Sequence, residues 1–190
     1  MSKTALCPGR RLVAACLLML LVSHGYGGES TGVRATKSEA LARAFPEAAR
    51  IERETLFFSK EEQEHLSRMA QDRFESRIYT VYVAYNADED PLGYAVIDTR
   101  TIRTKPATYM IILDARGRVD NVRILAWQEP PEYQPGDRWL AQFGDKGGED
   151  PVRLREDIQA ISGATLTSRA LSAGVRQVLA VYGLRFAGDS

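Results

Sequence analysis

The sequence has only two cysteines and two histidines, and both cysteines and one of the histidines lie close to its start. Cys7, Cys16 and His24 precede residue 27, and only His65 lies beyond it. The chain after residue 27 therefore cannot form a disulfide, a C-x-x-C-H haem site, an iron–sulfur cluster or a cysteine-ligated zinc site. A Ser-His-Asp triad would depend on His65, which lies in a charged segment without a G-x-S-x-G motif, so we interpret it as an exposed helical residue.

Other signatures of catalysis and of nucleotide binding are also missing. The sequence contains no P-loop, no dinucleotide-binding G-x-G-x-x-G, no H-E-x-x-H and no EF-hand pattern. Its 25 basic and 25 acidic residues balance, which gives no reason to expect a nucleic-acid partner. Glu129 and Glu132 flank two prolines, and we interpret them as a solvated turn, not as a catalytic carboxylate pair. Any redox role would therefore need an organic cofactor.

The first residues have the layout of a secretory signal. Lys3, Arg10 and Arg11 precede an apolar run over residues 12–22, and small residues follow over 23–28. The run is about eleven residues long, which is shorter than the roughly 20 that span a bilayer. We predict that residues 1–27 are a signal peptide or an N-terminal membrane anchor. In both cases the remaining chain lies in the periplasm or on the extracytoplasmic face of the membrane.

Residues 28–74 are predicted to be a helical N-terminal segment. The first helix runs from a Ser38 cap through Ala44. Pro46 suits the first turn of a second helix, over residues 46–54. Ser59 and Glu62 have the spacing of a capping box, which opens a third helix ending near Gln71.

Residues 75–190 are predicted to form the main domain. Runs of β-branched and aromatic residues predict strands over 78–85, 92–99, 108–114 and 119–127, and the short turns between them indicate antiparallel pairing. Gly93 would permit a close backbone approach. Asp137 is expected to cap a short helix over 138–143, and a last helix is expected to end at a Gly183 C-cap. The predicted fold class is α+β, with N-terminal helices, a mostly antiparallel sheet and a C-terminal helix packed on it.

The loop before the last helix is the strongest candidate site. Residues 161–168, here called the signature loop, are small and polar and run directly into a helix N-terminus. Unpaired amides and the positive end of the helix dipole favour a phosphate at such a place. Gly163 and Ala164 keep side chains out of the way, and Ser162, Thr165 and Thr167 supply hydroxyls. The alternative is that this loop only caps the helix.

A second polar segment and four aromatic residues are further candidates. Arg103, Thr104 and Lys105 lie in a loop after a strand, where their side chains would hold a phosphate or an anionic ring. The alternative is a solvated loop. A flat ligand would stack on aromatic side chains, although residues of this kind are more often core. The aromatic candidates are Trp127, Tyr133, Trp139 and Phe143.

The run Ser162-Gly163-Ala164-Thr165-Leu166-Thr167-Ser168 resembles the signature of the FMN-binding domain family. That family includes the periplasmic G subunit of the Rnf complex and the C subunit of the sodium-translocating NADH:quinone reductase. The likeness extends over roughly residues 75–185. It implies FMN carried on Thr165 by a phosphoester bond, attached by a separate flavin transferase. It also implies electron exchange with redox partner proteins at the membrane.

Two positions depart from the family pattern. Gln159 stands where the family usually has an aspartate, with Asp157 two residues earlier. Glu129-Pro130-Pro131-Glu132 replaces the family's glutamate-threonine-proline-glycine run. These departures leave an alternative open, namely a non-redox ligand-binding or assembly module of a membrane electron-transport complex, without covalent flavin.

Overall fold

The computed structural model describes residues 36–188. The predicted signal or anchor, residues 1–27, lies outside this part of the chain. Within residues 36–188, no helix has both the length and the apolar character needed to cross a membrane.

Helices pack on an antiparallel sheet, which confirms the predicted α+β class. The sheet order within the described residues is β1-β2-β3-β4-β5, and every neighbouring pair is antiparallel. The strands are β1 (Arg50–Phe57), β2 (Ile78–Tyr85), β3 (Pro91–Thr101), β4 (Pro106–Asp114) and β5 (Val119–Trp127). The helices are α1 (Lys37–Ala44), α2 (Lys60–Ala70), α3 (Asp137–Leu140) and α4 (Thr165–Arg185), with short 3-10 turns at Pro131–Tyr133 and Ala141–Phe143.

The helix predicted over residues 46–54 is wrong, because most of that segment is strand β1. β1 pairs with β2 along its whole length, from Arg50 opposite Tyr85 to Phe57 opposite Ile78. The local sequence is rich in alanine and glutamate and favours a helix, but pairing with a neighbouring strand overrides this preference. Residues 28–74 are therefore not wholly helical, and the boundary at residue 75 stays a prediction.

The other helices differ from prediction mainly at their ends. The Ser59 capping box is present, since the Ser59 hydroxyl accepts from the Glu62 N–H at 3.2 Å and the Glu62 carboxylate accepts from the Ser59 N–H at 2.8 Å. α1 has its capping box at Thr36, two residues before the predicted cap. The predicted C-cap at Gly183 is wrong, because α4 continues to Arg185. The added turn brings Leu184 and Phe186 onto the core.

The sheet is covered on both faces. In β4, Tyr109 and Ile111 face the larger core, which α2 and α4 complete with Leu66 and Leu171 among others. Met110 and Ile112 face the smaller core beneath α1. This alternation follows the two-residue period of a strand. The packing of α4 on the larger core fixes the position of its N-terminus, where the signature loop lies.

Gly93 confirms the predicted close backbone approach. It pairs with Asp114 of β4. A Cβ atom at Gly93 would lie 2.4 Å from the Leu113 carbonyl oxygen and 2.9 Å from the Phe45 ring. Since the carbonyl belongs to the sheet backbone, it cannot move aside cheaply.

We predict that Gly93→Ala lowers the free energy of unfolding by about 1–3 kcal/mol, because the added methyl group would clash with the β4 backbone at Leu113 and with the Phe45 ring. Urea denaturation measures the change. Gly148→Ala is the matched control, since a Cβ there meets nothing within 4 Å. Equal midpoints for the two variants would contradict the assigned contact.

Candidate functional site

The N-terminus of α4 is open and faces solvent. Ala164 occupies its N-cap position, without a side-chain hydrogen bond to the first turn. The Ala164 N–H donates to the Ile161 carbonyl at 3.0 Å, closing a tight turn. Gly163 makes this turn possible at φ +76, a conformation that favours glycine, and a Cβ atom there would meet open space. The first amides of α4 and the positive end of its dipole are therefore available to an anion.

The hydroxyl groups of the signature loop divide into two kinds. Thr167 is buried, and its Oγ1 donates to the Tyr133 carbonyl at 3.0 Å. Ser168 is also buried, and its Oγ accepts from the Ile161 N–H at 2.9 Å and donates to the Ala164 carbonyl at 3.2 Å. Ser162 and Thr165 are exposed. The buried hydroxyls of Thr167 and Ser168 thus hold the loop in place. The exposed hydroxyls of Ser162 and Thr165 are accessible to a ligand or a modifying enzyme.

Two clefts meet at Thr165. The smaller one, of about 220 Å³, is here called the tyrosine cleft, and Arg103 and Tyr133 face the signature loop across it. The Arg103 guanidinium lies over the Tyr133 ring, 4.4 Å from its centroid. The larger one, of about 570 Å³, is here called the arginine cleft after Arg153, Arg155, Arg169 and Arg176. Thr165 lines both clefts.

Glu129 holds the loop that carries Arg103. One carboxylate oxygen, Oε1, accepts three backbone N–H groups, from Arg103 at 2.7 Å, Thr104 at 2.7 Å and Lys105 at 2.8 Å. The hydrogen bond from Lys105 is the largest influence on the pKa of Glu129, and together with those from Thr104 and Arg103 it lowers that pKa against the effect of burial. The interpretation of Glu129 as a solvated turn residue is wrong, because the residue is only 5% exposed. Sequence reasoning missed this role.

The predicted contacts of Thr104 and Lys105 with a cofactor stay predictions. Their backbone amides are bound to Glu129, and their side chains are exposed without lining the tyrosine cleft. Arg103 is the residue of this segment that the structure brings to the signature loop.

Of the four aromatic candidates, only Tyr133 lines the tyrosine cleft. Trp127 and Phe143 are buried in the core. Trp139 packs edge-on against Phe143 with 5.2 Å between ring centroids, and its indole N–H donates to the Gln159 carbonyl at 2.6 Å. These three side chains support the fold around the site.

The backbone of Gln159 and the side chain of Asp157 both have hydrogen-bond partners in the fold. The Gln159 N–H donates to the Gln142 side chain at 2.8 Å, and Gln159 is exposed. Asp157 accepts from the Arg153 N–H at 2.8 Å and lies 3.0 Å from the Lys146 ammonium. Partial burial raises the pKa of Asp157, but these hydrogen bonds outweigh it and the pKa is lowered. Asp157 therefore stabilises the turn over residues 152–157.

The remaining candidates for catalysis or metal binding are histidine and clusters of metal-ligating residues. His65 is an exposed residue of α2, as predicted. No group of three or more histidine, cysteine, aspartate or glutamate residues in the described ranges could hold a metal ion.

Residues 104–180 match the model of the FMN-binding domain family. This part of the chain contains β4, β5, the signature loop and most of α4. The match identifies an FMN-binding domain within this part of the chain and indicates FMN as its cofactor. No curated protein matches the chain. The narrower likeness to the Rnf and NADH:quinone reductase subunits stays a prediction.

The residues around Thr165 fit a flavin mononucleotide. Its phosphate suits the open N-terminus of α4 and the guanidinium of Arg103. Its flat ring suits the aromatic and apolar surface that Tyr133 and Leu166 provide, and Leu166 is 45% exposed. Gly163 leaves free space beside the loop. The donors and the apolar surface that this cofactor needs are thus present within one small region.

We predict that Glu129→Gln loosens the 103–105 loop, because a neutral amide accepts hydrogen bonds more weakly than a carboxylate. Faster hydrogen exchange of these three amides checks this. Since the folded-state pKa of Glu129 is lowered, the carboxylate's contribution is present above the unfolded pKa. It is lost as the pH falls through the folded pKa.

Glu132→Gln is the control for this experiment, because Glu132 is exposed and its side chain has no hydrogen-bond partner among residues 36–188. Unchanged exchange in Glu129→Gln, or an equal change in Glu132→Gln, would show that the carboxylate does not hold the loop.

Proposed function

We propose that this protein is an extracytoplasmic electron-transfer flavoprotein whose FMN is esterified through its phosphate to Thr165. The observation that carries the proposal is the position of Thr165. It is the first residue of α4, its side chain is exposed, and it lines both clefts.

The signature loop supports a phosphate on Thr165. The positive end of the α4 dipole stabilises negative charge at this residue. Gly163 and Ala164 present no bulky side chain, and Ser162 offers an exposed hydroxyl. Thr167 acts indirectly, because its hydrogen bond to the Tyr133 carbonyl fixes the aromatic wall of the tyrosine cleft. Bound FMN would supply the redox chemistry, and these residues would bind and orient it.

The proposed tether needs a flavin transferase as a maturation partner. One P–O bond forms between Thr165 Oγ1 and the phosphorus of the flavin donor, the donor's P–O bond to its leaving group breaks, and that group departs with the hydroxyl proton. The exposure of Thr165 gives such an enzyme access. Residues 1–27 are predicted to export the chain or to anchor it outside the cytoplasm. The cytoplasmic pool of FMN is not available there, so a covalent bond would retain the cofactor.

Electrons would pass between this flavin and other proteins at the membrane. The tyrosine cleft opens at the exposed residues Arg103 and Leu166, so a flavin ring there would lie close to the surface. Shallow placement suits a carrier that meets a donor and an acceptor in turn. We therefore place the protein as a carrier or subunit of a membrane oxidoreductase, not as a stand-alone enzyme.

One observation favours a second function, a ligand-binding or assembly module without covalent flavin. Gln159 replaces the family's usual aspartate three residues before Ser162. Its side chain is exposed and has no hydrogen-bond partner within residues 36–188. A transferase that needs a carboxylate at this position would not modify the chain.

We predict that the full chain, produced together with a flavin transferase and then denatured, gains the mass of one FMN less one water. Thr165→Ala should lose the adduct completely, because no oxygen remains to form the ester. Thr165→Ser should retain it, at least in part. Intact-mass spectrometry and flavin fluorescence of the denatured protein measure both.

Ser162→Ala is the matched control, since it removes a neighbouring exposed hydroxyl and should keep the adduct. A Thr165→Ala variant that still carried covalent flavin would exclude Thr165 as the attachment site. An unmodified wild-type protein that also fails to quench the fluorescence of added FMN would favour the second function.

A further inference from the structure

The arginine cleft is lined by more basic than acidic side chains, and two of its arginines have no partner in the described part of the protein. Four arginines line it, Arg153, Arg155, Arg169 and Arg176, against two acidic residues, Asp72 and Glu156. Its volume of about 570 Å³ is ample for a small ligand.

Two of the four arginines are engaged in building the cleft. Arg176 Nε donates to the Ala70 carbonyl at 2.7 Å, and its Nη1 donates to the Val152 carbonyl at 2.8 Å. Arg176 thereby joins the end of α2 to the loop before the signature. Arg153 lies 3.7 Å from the Glu156 carboxylate. The two hydrogen bonds of Arg176 make it mainly structural, and Arg153 is partly neutralised by Glu156.

The other two arginines are free. Within residues 36–188, the side chains of Arg155 and Arg169 make no hydrogen bond and no ion pair. Arg169 lies four residues after Thr165 on α4, so the two side chains share one face of the helix. Arg155 lies in the left-handed region at φ +71, and its N–H donates to the Ile158 carbonyl at 3.0 Å. Backbone strain of this kind persists where surrounding contacts enforce it, and it is common at ligand sites.

Ser172 provides an independent sign of a ligand. It lines the arginine cleft and is only 1% exposed. Its hydroxyl is buried without a hydrogen-bond partner, and it is the only side-chain polar atom of the described residues in that condition. Buried hydroxyl groups almost always have a partner, because leaving one unpaired is costly. A ligand oxygen would supply the missing one.

We propose that the arginine cleft is a binding site for a phosphoryl group, held by Arg155 and Arg169 with a hydrogen bond from the Ser172 hydroxyl. Guanidinium groups match the oxygens of a phosphate in pairs, and a hydroxyl donor adds a neutral hydrogen bond. The phosphoryl group has two conceivable sources, the flavin phosphate at Thr165 or a separate phosphorylated molecule. The site itself requires neither FMN nor the ester.

Isothermal titration of the flavin-free full chain with pyrophosphate, in a chloride buffer, tests the site. We expect saturable binding to the wild type. Arg155→Gln and Arg169→Gln should each weaken it by roughly ten- to a hundredfold, the usual effect of losing a charged hydrogen bond. Arg116→Gln is the charge-matched control, because Arg116 lies in the β4–β5 turn outside the cleft.

Ser172→Ala separates ligand binding from structural support. Because the hydroxyl has no partner in the protein, the variant should keep or raise the melting temperature while binding pyrophosphate more weakly. A lower melting temperature with unchanged binding would overturn the role of Ser172. No binding by the wild type, or equal binding by Arg155→Gln, Arg169→Gln and the control, would overturn the site.

Repeating the titration on FMN-loaded protein identifies the source of the phosphoryl group. Loss of pyrophosphate binding would show that the flavin phosphate fills the site. Retained binding would show that a separate ligand does. If the chain binds pyrophosphate but takes up no FMN, the phosphoryl site stands and the proposed flavoprotein function is excluded. Failure of the phosphoryl site is therefore distinguishable from failure of the flavoprotein function.

Discussion

The packing of α4 on the sheet is the constraint on which the site depends. Leu171 and Val175 are fully buried against the larger core, and burial of each such side chain contributes about 1.5–3 kcal/mol. The N-terminal residue of the same helix, Thr165, faces solvent. A helix held firmly along its length thus presents its first turn in a fixed position, which is the condition for a preorganised anion site.

Two carboxylates fix the loops on either side of that helix end. Glu129 gathers the amides of residues 103–105 beside the tyrosine cleft, and Asp157 gathers those of Val152 and Arg153 beside the arginine cleft. Each binds backbone N–H groups that no strand or helix satisfies. The loops that form the walls of both clefts therefore depend on a buried or half-buried carboxylate. The cleft surfaces themselves are lined by arginine side chains.

The sequence predicted the parts of this arrangement that are local. The capping box at Ser59, four of the strands and the hydroxyl-rich loop before α4 all follow from residue spacing. Strand β1 was not predicted, because its residues favour a helix locally. Pairing with β2 in the folded protein outweighs that preference. The role of Glu129 was equally hidden, since its three partners lie 24–26 residues away along the chain. Long-range partners are fixed by the tertiary fold and leave no local pattern.

The exposed position of Thr165 bears on the order of events in biogenesis. Attaching a group at the first residue of a helix disturbs none of its internal hydrogen bonds, since the side chain points away from the backbone ladder. A finished, folded domain would therefore be a competent substrate for modification. Under the proposed function, export would be able to precede cofactor loading, and the chain would not need to carry a bulky prosthetic group through the translocation step.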